Sequence, residues 1–222
     1  EDSSYYEIIV FDGFSTDDTE EIMRRYSDKY SFIKYVRSME RRNIDTDLNE
    51  AVALASGEYV WTLSSDDVLV RGWLGEVLAY ITEFNSDIYL LPAIHCSLLM
   101  KPQRKYPILN NNAISPLSQK LETLSDLRTY LGQVKTSEGL FSFCSSCMIR
   151  RTKINKTEPL EAANGTCWRY AVRMIQALLT FPSSITVVDQ YLLKKRGEND
   201  SFGEDGRVKR MEIAIVKWTD AI

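Results

Sequence analysis

Apolar residues along this chain fall in short continuous runs separated by amphipathic stretches. Glu7-Ile8-Ile9-Val10-Phe11 is a β-rich run closed by Asp12-Gly13, and Ser15-Thr16-Asp17-Asp18 behind it supplies helix-cap chemistry. The spacing predicts a helix over 16–30, with Ile22, Met23 and Tyr26 on its apolar side, then a second strand, Phe32-Ile33-Lys34-Tyr35-Val36. Leu48, Val52 and Ala55 mark another helix, stopped by Gly57, and Tyr59-Val60-Trp61-Thr62-Leu63 reads as a buried strand running directly into Ser64-Ser65-Asp66-Asp67. Ile88-Tyr89-Leu90-Leu91 closes this alternation. It predicts an α/β fold with a mainly parallel sheet and helices on both faces.

Regularity weakens from Ser97 to Leu121, where Pro102, Pro107, Asn110-Asn111-Asn112 and Pro116 favour a loop or a small antiparallel excursion. A helix over 124–131, a strand over 140–150, a long helix over 166–179 and a strand over 185–188 follow. An amphipathic segment over 207–218 ends the pattern. The expected organisation is one domain over 1–222, with a ligand-binding half at 1–95, a second half at 96–200 and a terminal helix at 201–222.

Length and charge narrow the picture. With 222 residues, 44% of them apolar, the chain encloses a core of its own, and its longest apolar runs fall short of the roughly 20 residues that cross a bilayer. A balance of 27 Lys and Arg against 31 Asp and Glu gives a net charge of −4, so no nucleic acid is expected as partner. No secretory signal is visible, and Cys96, Cys144, Cys147 and Cys167 are too few for a disulfide scaffold, which favours a reducing cytoplasm. Cys144 and Cys147 sit in an apolar run and read as core thiols rather than metal ligands. His95 reads as a partly buried structural histidine.

Candidate chemistry lies at strand ends. Ligands of open α/β sheets bind beyond the carboxyl ends of strands, where Asp12 and Asp66 both fall. Asp66 and Asp67 offer hard oxygen ligands for Mg²⁺ or Mn²⁺, which would neutralise a diphosphate leaving group, and the plainer alternative is a solvated helix cap. The segment from Glu7 to Thr19, with Phe11 and Asp12, resembles the nucleotide-binding segment of family 2 glycosyltransferases with the GT-A fold. Ala55 to Leu69, with Ser65 and Asp66, resembles that family's strand into its D-x-D motif. The helix opening at Gly165-Thr166-Cys167-Trp168 and the run Arg196-Gly197-Glu198-Asn199-Asp200-Ser201-Phe202 are similar to the abequosyltransferase-type branch, bacterial enzymes that add dideoxyhexoses to O-antigen units.

The resemblance implies that Asp12 recognises a nucleobase, that Asp66 with Asp67 holds the metal between donor phosphates, and that Asp45 and Asn49 line the nucleotide pocket, ordinary helix capping being the plainer alternative for these last two. Trp168, Arg196, Asn199 and Asp200 would belong to a donor and acceptor loop. The implied activity is metal-assisted hexosyl transfer from a nucleoside diphosphate sugar to a lipid-linked saccharide, in O-antigen or surface polysaccharide synthesis on the inner face of the cytoplasmic membrane. The alternative is a non-catalytic sugar-nucleotide or glycan-binding module. Three departures favour that alternative. Ser64 stands where the first D-x-D acid belongs, and Thr166-Cys167 stands where inverting members carry a Glu-Asp pair, leaving Glu138 and Glu161 as candidate bases. The family's first strand and helix have no counterpart here, and a missing segment is the expected reason. Lys194, Lys195 and Arg196 could steady phosphates, or with Lys209, Arg210 and Trp218 touch an anionic membrane; the plainer reading makes the terminal helix a solvated one with Ile213, Ile215 and Val216 as core.

Overall fold

The computed structural model describes residues 3–198, 208, 211–217 and 219. Its centre is a five-stranded sheet in the order β3 (Tyr59–Trp61), β9 (Cys147–Arg150), β5 (Ile88–Leu90), β10 (Ser183–Val187), β8 (Leu117–Leu121). Beside it lie a parallel pair, β1 (Ile8–Asp12) with β2 (Ile33–Arg37), and a four-stranded sheet in the order β4 (Val68–Leu69), β11 (Leu193–Arg196), β6 (Ala93–Cys96), β7 (Pro102–Tyr106). Helices α1 (Thr19–Lys29), α2 (Ile44–Ala53), α3 (Trp73–Phe84), α4 (Leu124–Gln133), the one-turn α5 (Arg151–Ile154) and α6 (Arg169–Leu179) flank the sheets.

Strand alternation builds two core layers. Successive side chains of β5 point to opposite faces, so Ile88 and Leu90 join one cluster while Tyr89 and Leu91 join the other. On the first face Ala171, Met174, Ala177 and Leu178 of α6 bury at helical spacing. On the second, Val77, Tyr80, Ile81 and Phe84 of α3 do the same. This explains why 88–91 reads as an unbroken apolar run: the strand is covered on both sides.

The α/β class stands, but the sheet is mixed rather than mainly parallel. Parallel pairing joins β1 to β2, β5 to β10 and β6 to β11, whereas β3–β9, β5–β9, β8–β10, β4–β11 and β6–β7 are antiparallel. Reversed strands enter each of the two larger sheets: β9 between β3 and β5 and β8 beside β10 in one, β4 and β7 at the edges of the other. Among the described residues no ladder joins β1 to β3. Side chains link them instead: Glu7 accepts from the Ser56 and Gly57 amides at 2.6 and 3.0 Å, and Tyr6 and Trp61 both pack edge-on against Trp73.

Other differences have local causes. The expected strand over 140–150 is two 3-10 turns, Ser137–Leu140 and Cys144–Ser146, followed only then by β9. The expected excursion after residue 97 is the antiparallel pair of β6 and β7. Ile215 and Val216, in the core on the plainer reading of the terminal helix, are 55% and 53% exposed, and Ile22 and Tyr26 of α1 also stay largely open.

Candidate active site

Two strand tips carry the candidate acids, and each is built differently. Asp12, 4% exposed at the end of β1, accepts from the Ser15 amide at 2.7 Å and from the Tyr35 hydroxyl at 2.7 Å, with Arg37 Nε at 3.3 Å. Burial alone would raise its carboxyl, but Tyr35, Ser15 and the Arg37 charge outweigh burial and hold it below the usual aspartate range. Burial and the Asp12 carboxylate push the Tyr35 phenol up to about 12. Asp12 thus fixes the turn Gly13-Phe14-Ser15. Gly13 leaves room there for the Asp47 carboxylate, which a Cβ at 2.3 Å from Oδ2 would have to displace. Arg37 stacks over Phe14 at 4.6 Å, bonds the Ser15 carbonyl at 2.8 Å and pairs with Glu20, closing a 370 Å³ cleft lined also by Arg24, Tyr35, Ser38 and Met39. Phe11 lies under the Arg42 guanidinium at 5.4 Å.

The second tip is the loop Thr62–Asp67. Ser145, fully buried, is its hub: its hydroxyl takes the Ser64 amide at 2.9 Å and donates to Asp67 Oδ2 at 2.6 Å, while its carbonyl takes the Trp61 indole at 2.8 Å. Thr62 donates to the Cys144 carbonyl at 2.7 Å. Asp67 Oδ1 accepts the Arg196 amide at 3.0 Å, and Arg196 Nε reaches the Asp66 carbonyl at 3.2 Å, so the loop is fastened to β11 as well. Burial pushes the Asp67 carboxyl up against the pull of these bonds. Both Asp67 oxygens are thereby engaged within the protein, which fits a residue that positions the loop. Asp66, half-buried at the tip, receives the Ser64 hydroxyl on Oδ1. A hydroxyl at position 64 orients this carboxylate without the repulsion a second acid would bring. Ser65 is exposed beside it.

Asp12 and Asp66 therefore occupy strand tips as the residue pattern predicts, but neither lines the 370 Å³ cleft or the cavity described next. The expectation that both open into one shared pocket is not met by these cavities. Asp12 turns inward onto β2; Asp66 sits on the loop held by Ser145 and β11.

Asp45 follows the capping reading, although the helix it caps is not its own. Its buried carboxylate accepts from the amides of Cys167 at 2.8 Å and Arg169 at 3.1 Å, capping α6 from a neighbouring helix. Cys167 holds φ +70°, which explains why α6 starts at Arg169 and not Thr166. Asn49 accepts from Arg173 at 2.6 Å, and these residues with Asp45 and Arg169 line a small, partly open cavity of about 30 Å³, room for one water. Asp45→Ala should lower stability by about 1–2 kcal/mol, because it uncaps two buried amides; a denaturant titration against Asp45→Asn, which keeps one acceptor, measures this.

Glu161 is 81% exposed in its side chain and pairs with Arg169. Glu138 is half-buried on the turn before Phe141, and its Oε2 is buried with no hydrogen-bond partner. The Trp168 indole donates to the Ile213 carbonyl at 2.6 Å, so it holds the terminal segment and not the loop at Asp66. Asn199 and Asp200 lie outside the described residues, as do Lys209, Arg210 and Trp218. Sequence reasoning missed Tyr35, Arg37 and Ser145. For Ser145 the available signal was a Ser-Ser pair inside an apolar run, which only a buried polar role accommodates.

No group of three His, Cys, Asp or Glu residues suited to a metal occurs among the described residues. Of the loop's two carboxylates Asp67 has both oxygens bonded within the protein and Asp66 takes the Ser64 hydroxyl on Oδ1, so an ion here would be held by a single carboxylate. That fits the manner in which Mg²⁺ is held by one or two carboxylates, substrate phosphates and water.

Residues 2–157 match Glycosyl transferase family 2, most of the chain's length. The chain belongs to that family. Among curated relatives, abequosyltransferase RfbV of Salmonella typhimurium is 27% identical over 217 residues, covering 96% of this chain and 63% of that protein. The poly(ribitol-phosphate) β-N-acetylglucosaminyltransferase TarS of Staphylococcus aureus is 27% identical over 120 residues, 51% of this chain and 21% of that one. The chain thus spans under two thirds of the length of either. Among solved structures, S. aureus TarS 1–349 superposes with a TM-score of 0.66 at 19% identity, covering 98% of this chain and 57% of that one. Its complex with UDP-GlcNAc gives 0.64 at 17% identity, covering 99% and 58%. These likenesses show that this family 2 chain has the fold of that glycosyltransferase. No described helix is long and apolar enough to cross a membrane.

Proposed function

We propose that this family 2 chain transfers a sugar, of the deoxyhexose class, from a nucleoside diphosphate donor to a hydroxyl of a lipid-linked saccharide, in bacterial O-antigen or surface polysaccharide synthesis at the inner face of the cytoplasmic membrane. The observation that carries the reading is the Asp66 loop, a half-buried carboxylate held at a strand tip by Ser64 and fastened through Asp67 to Ser145 and β11. The RfbV and TarS names support the reaction class, and the UDP-GlcNAc complex of TarS supports the donor class.

Asp66 would hold Mg²⁺ or Mn²⁺ on the donor diphosphate, and the ion when bound would neutralise charge building on that leaving group. Asp67 and Arg196 position the loop. Asp12 shapes the Gly13–Ser15 turn that approaches the nucleoside. Glu138 takes the proton of the acceptor hydroxyl as its oxygen bonds to the anomeric carbon and the bond to the diphosphate oxygen breaks. Of the two candidate bases it is the half-buried one, with an oxygen uncommitted to any donor.

A non-catalytic binding module has one observation in its favour: Thr166 and Cys167, just ahead of α6, bring no carboxylate of their own, and the Asp45 carboxylate that reaches this point is engaged by the Cys167 and Arg169 amides. Melting temperatures with CDP-, UDP-, GDP- and dTDP-sugars, with and without Mn²⁺, separate the readings when followed by a product assay. We expect one nucleotide to raise the melting temperature more with Mn²⁺ than without, and turnover to follow. Binding without product favours the module.

A further inference from the structure

The four-stranded sheet carries a row of nitrogenous side chains that the reading above does not use. In the ladder Lys195 of β11 lies opposite His95 of β6, and His95 lies opposite Arg104 of β7. Cross-strand partners share a face and neighbouring strands sit about 4.8 Å apart, so the row spans about 10 Å. Like charges placed this way repel one another. Yet among the described residues neither Lys195 nor Arg104 forms an ion pair.

Aromatic faces hold them instead. Lys195 Nζ stands 4.1 Å from the Phe143 ring centre, Arg104 stands 5.0 Å from that of Tyr106, and Tyr106 stacks on His95 at 4.5 Å and 12°. Such contacts orient a cation without neutralising it. Four charged groups act on the row from the packed elements: Lys195 and Arg104 beside His95, Glu138 near His95, and Asp67 near Lys195, the last with both oxygens engaged. Burial and the two cations push His95 below its usual range, against the pull of Glu138.

The row begins beside the donor loop, since the Arg196 amide bonds Asp67 at 3.0 Å, and runs away from it toward exposed Arg104. We propose that Lys195, His95 and Arg104 form a phosphate subsite for the acceptor, so that the hydroxyl to be glycosylated belongs to a molecule carrying a phosphate or diphosphate. This rests on the glycosyltransferase reading of the neighbouring loop. The chemistry matches: a phosphate group spans two or three donors and supplies the missing negative charge.

His95 is the only histidine of the chain, so its imidazole gives an isolated NMR signal. Titration of the whole chain with inorganic pyrophosphate should move that signal and raise the pH at which it titrates, because a bound anion favours the imidazolium. Arg104→Gln should weaken the response by about tenfold. Asp66→Asn should leave it intact. A second arm uses vesicles of neutral lipid with and without a polyprenyl diphosphate. An increment that Arg104→Gln removes identifies a lipid-borne phosphate, while a pyrophosphate response alone identifies a soluble one. The proposal is overturned if His95 does not respond, or if the response is lost in Asp66→Asn and kept in Arg104→Gln, since the anion then sits on the donor loop. Failure of the donor reading is scored separately, by sugar nucleotides with Mn²⁺ leaving the melting temperature unchanged.

Discussion

Asp66→Asn should reduce sugar transfer by about a thousandfold and abolish the Mn²⁺-dependent part of donor binding, with the melting temperature of the free chain nearly unchanged. The substitution is isosteric and keeps an oxygen for the Ser64 hydroxyl, so the loop retains its shape. What it removes is the negative charge. An amide is a far weaker partner for a hard divalent cation than a carboxylate. Asp67→Asn should behave in the opposite manner. The buried side chain accepts from Ser145 and from the Arg196 amide, and an amide can satisfy only one of the two oxygen sites without reversing a donor. Stability should therefore fall, and donor affinity should follow the loosened loop. The pair is measured by a coupled diphosphate-release assay beside thermal melts. An Asp66→Asn enzyme with full turnover would remove the basis of the proposed chemistry.

How far the residues themselves disclosed this site depends on where the determining interactions lie. The strand ending at Asp12 and the strand running into Asp66 were readable because each is a short apolar run broken by polar residues, a signal carried by neighbours in sequence. The role of Asp67 was not, because it depends on Ser145 and Arg196, far away along the chain. For Asp45 capping was legible but its helix was not: beside Asn43 it looks like an ordinary first-turn acid, while its amide partners stand at the start of α6. Strand direction was hidden as well. Cys147-Met148-Ile149 is apolar whichever way it runs, and only its placement between β3 and β5 shows that it is antiparallel to both. A strand over 140–150 failed because 144–146 forms a 3-10 turn, in which Ser146 donates to the Phe143 carbonyl at 3.0 Å while Ser145 sends its hydroxyl to distant Asp67. Apolar periodicity counts side chains and cannot register such bonds.

Glu138→Gln should lower kcat by about 10²- to 10⁴-fold, the usual worth of a positioned base, with little change in donor KM. The argument turns on commitment. Glu161 reaches Arg169 from a mostly exposed position, and its proton-accepting capacity is shared with a cation and with water. Glu138 keeps a buried oxygen that no donor occupies, on a turn whose end packs Phe141 into the core. A polar atom withheld from water and from protein is costly, so a fold retains it where a ligand supplies the missing hydrogen. The hydroxyl of an acceptor is such a donor. Glu161→Gln, by contrast, should keep most of the wild-type rate. Rescue of Glu138→Gln by added formate would place the lost function on the proton. If instead KM rises while kcat stays as in the wild type, Glu138 contributes to acceptor binding and the base lies elsewhere.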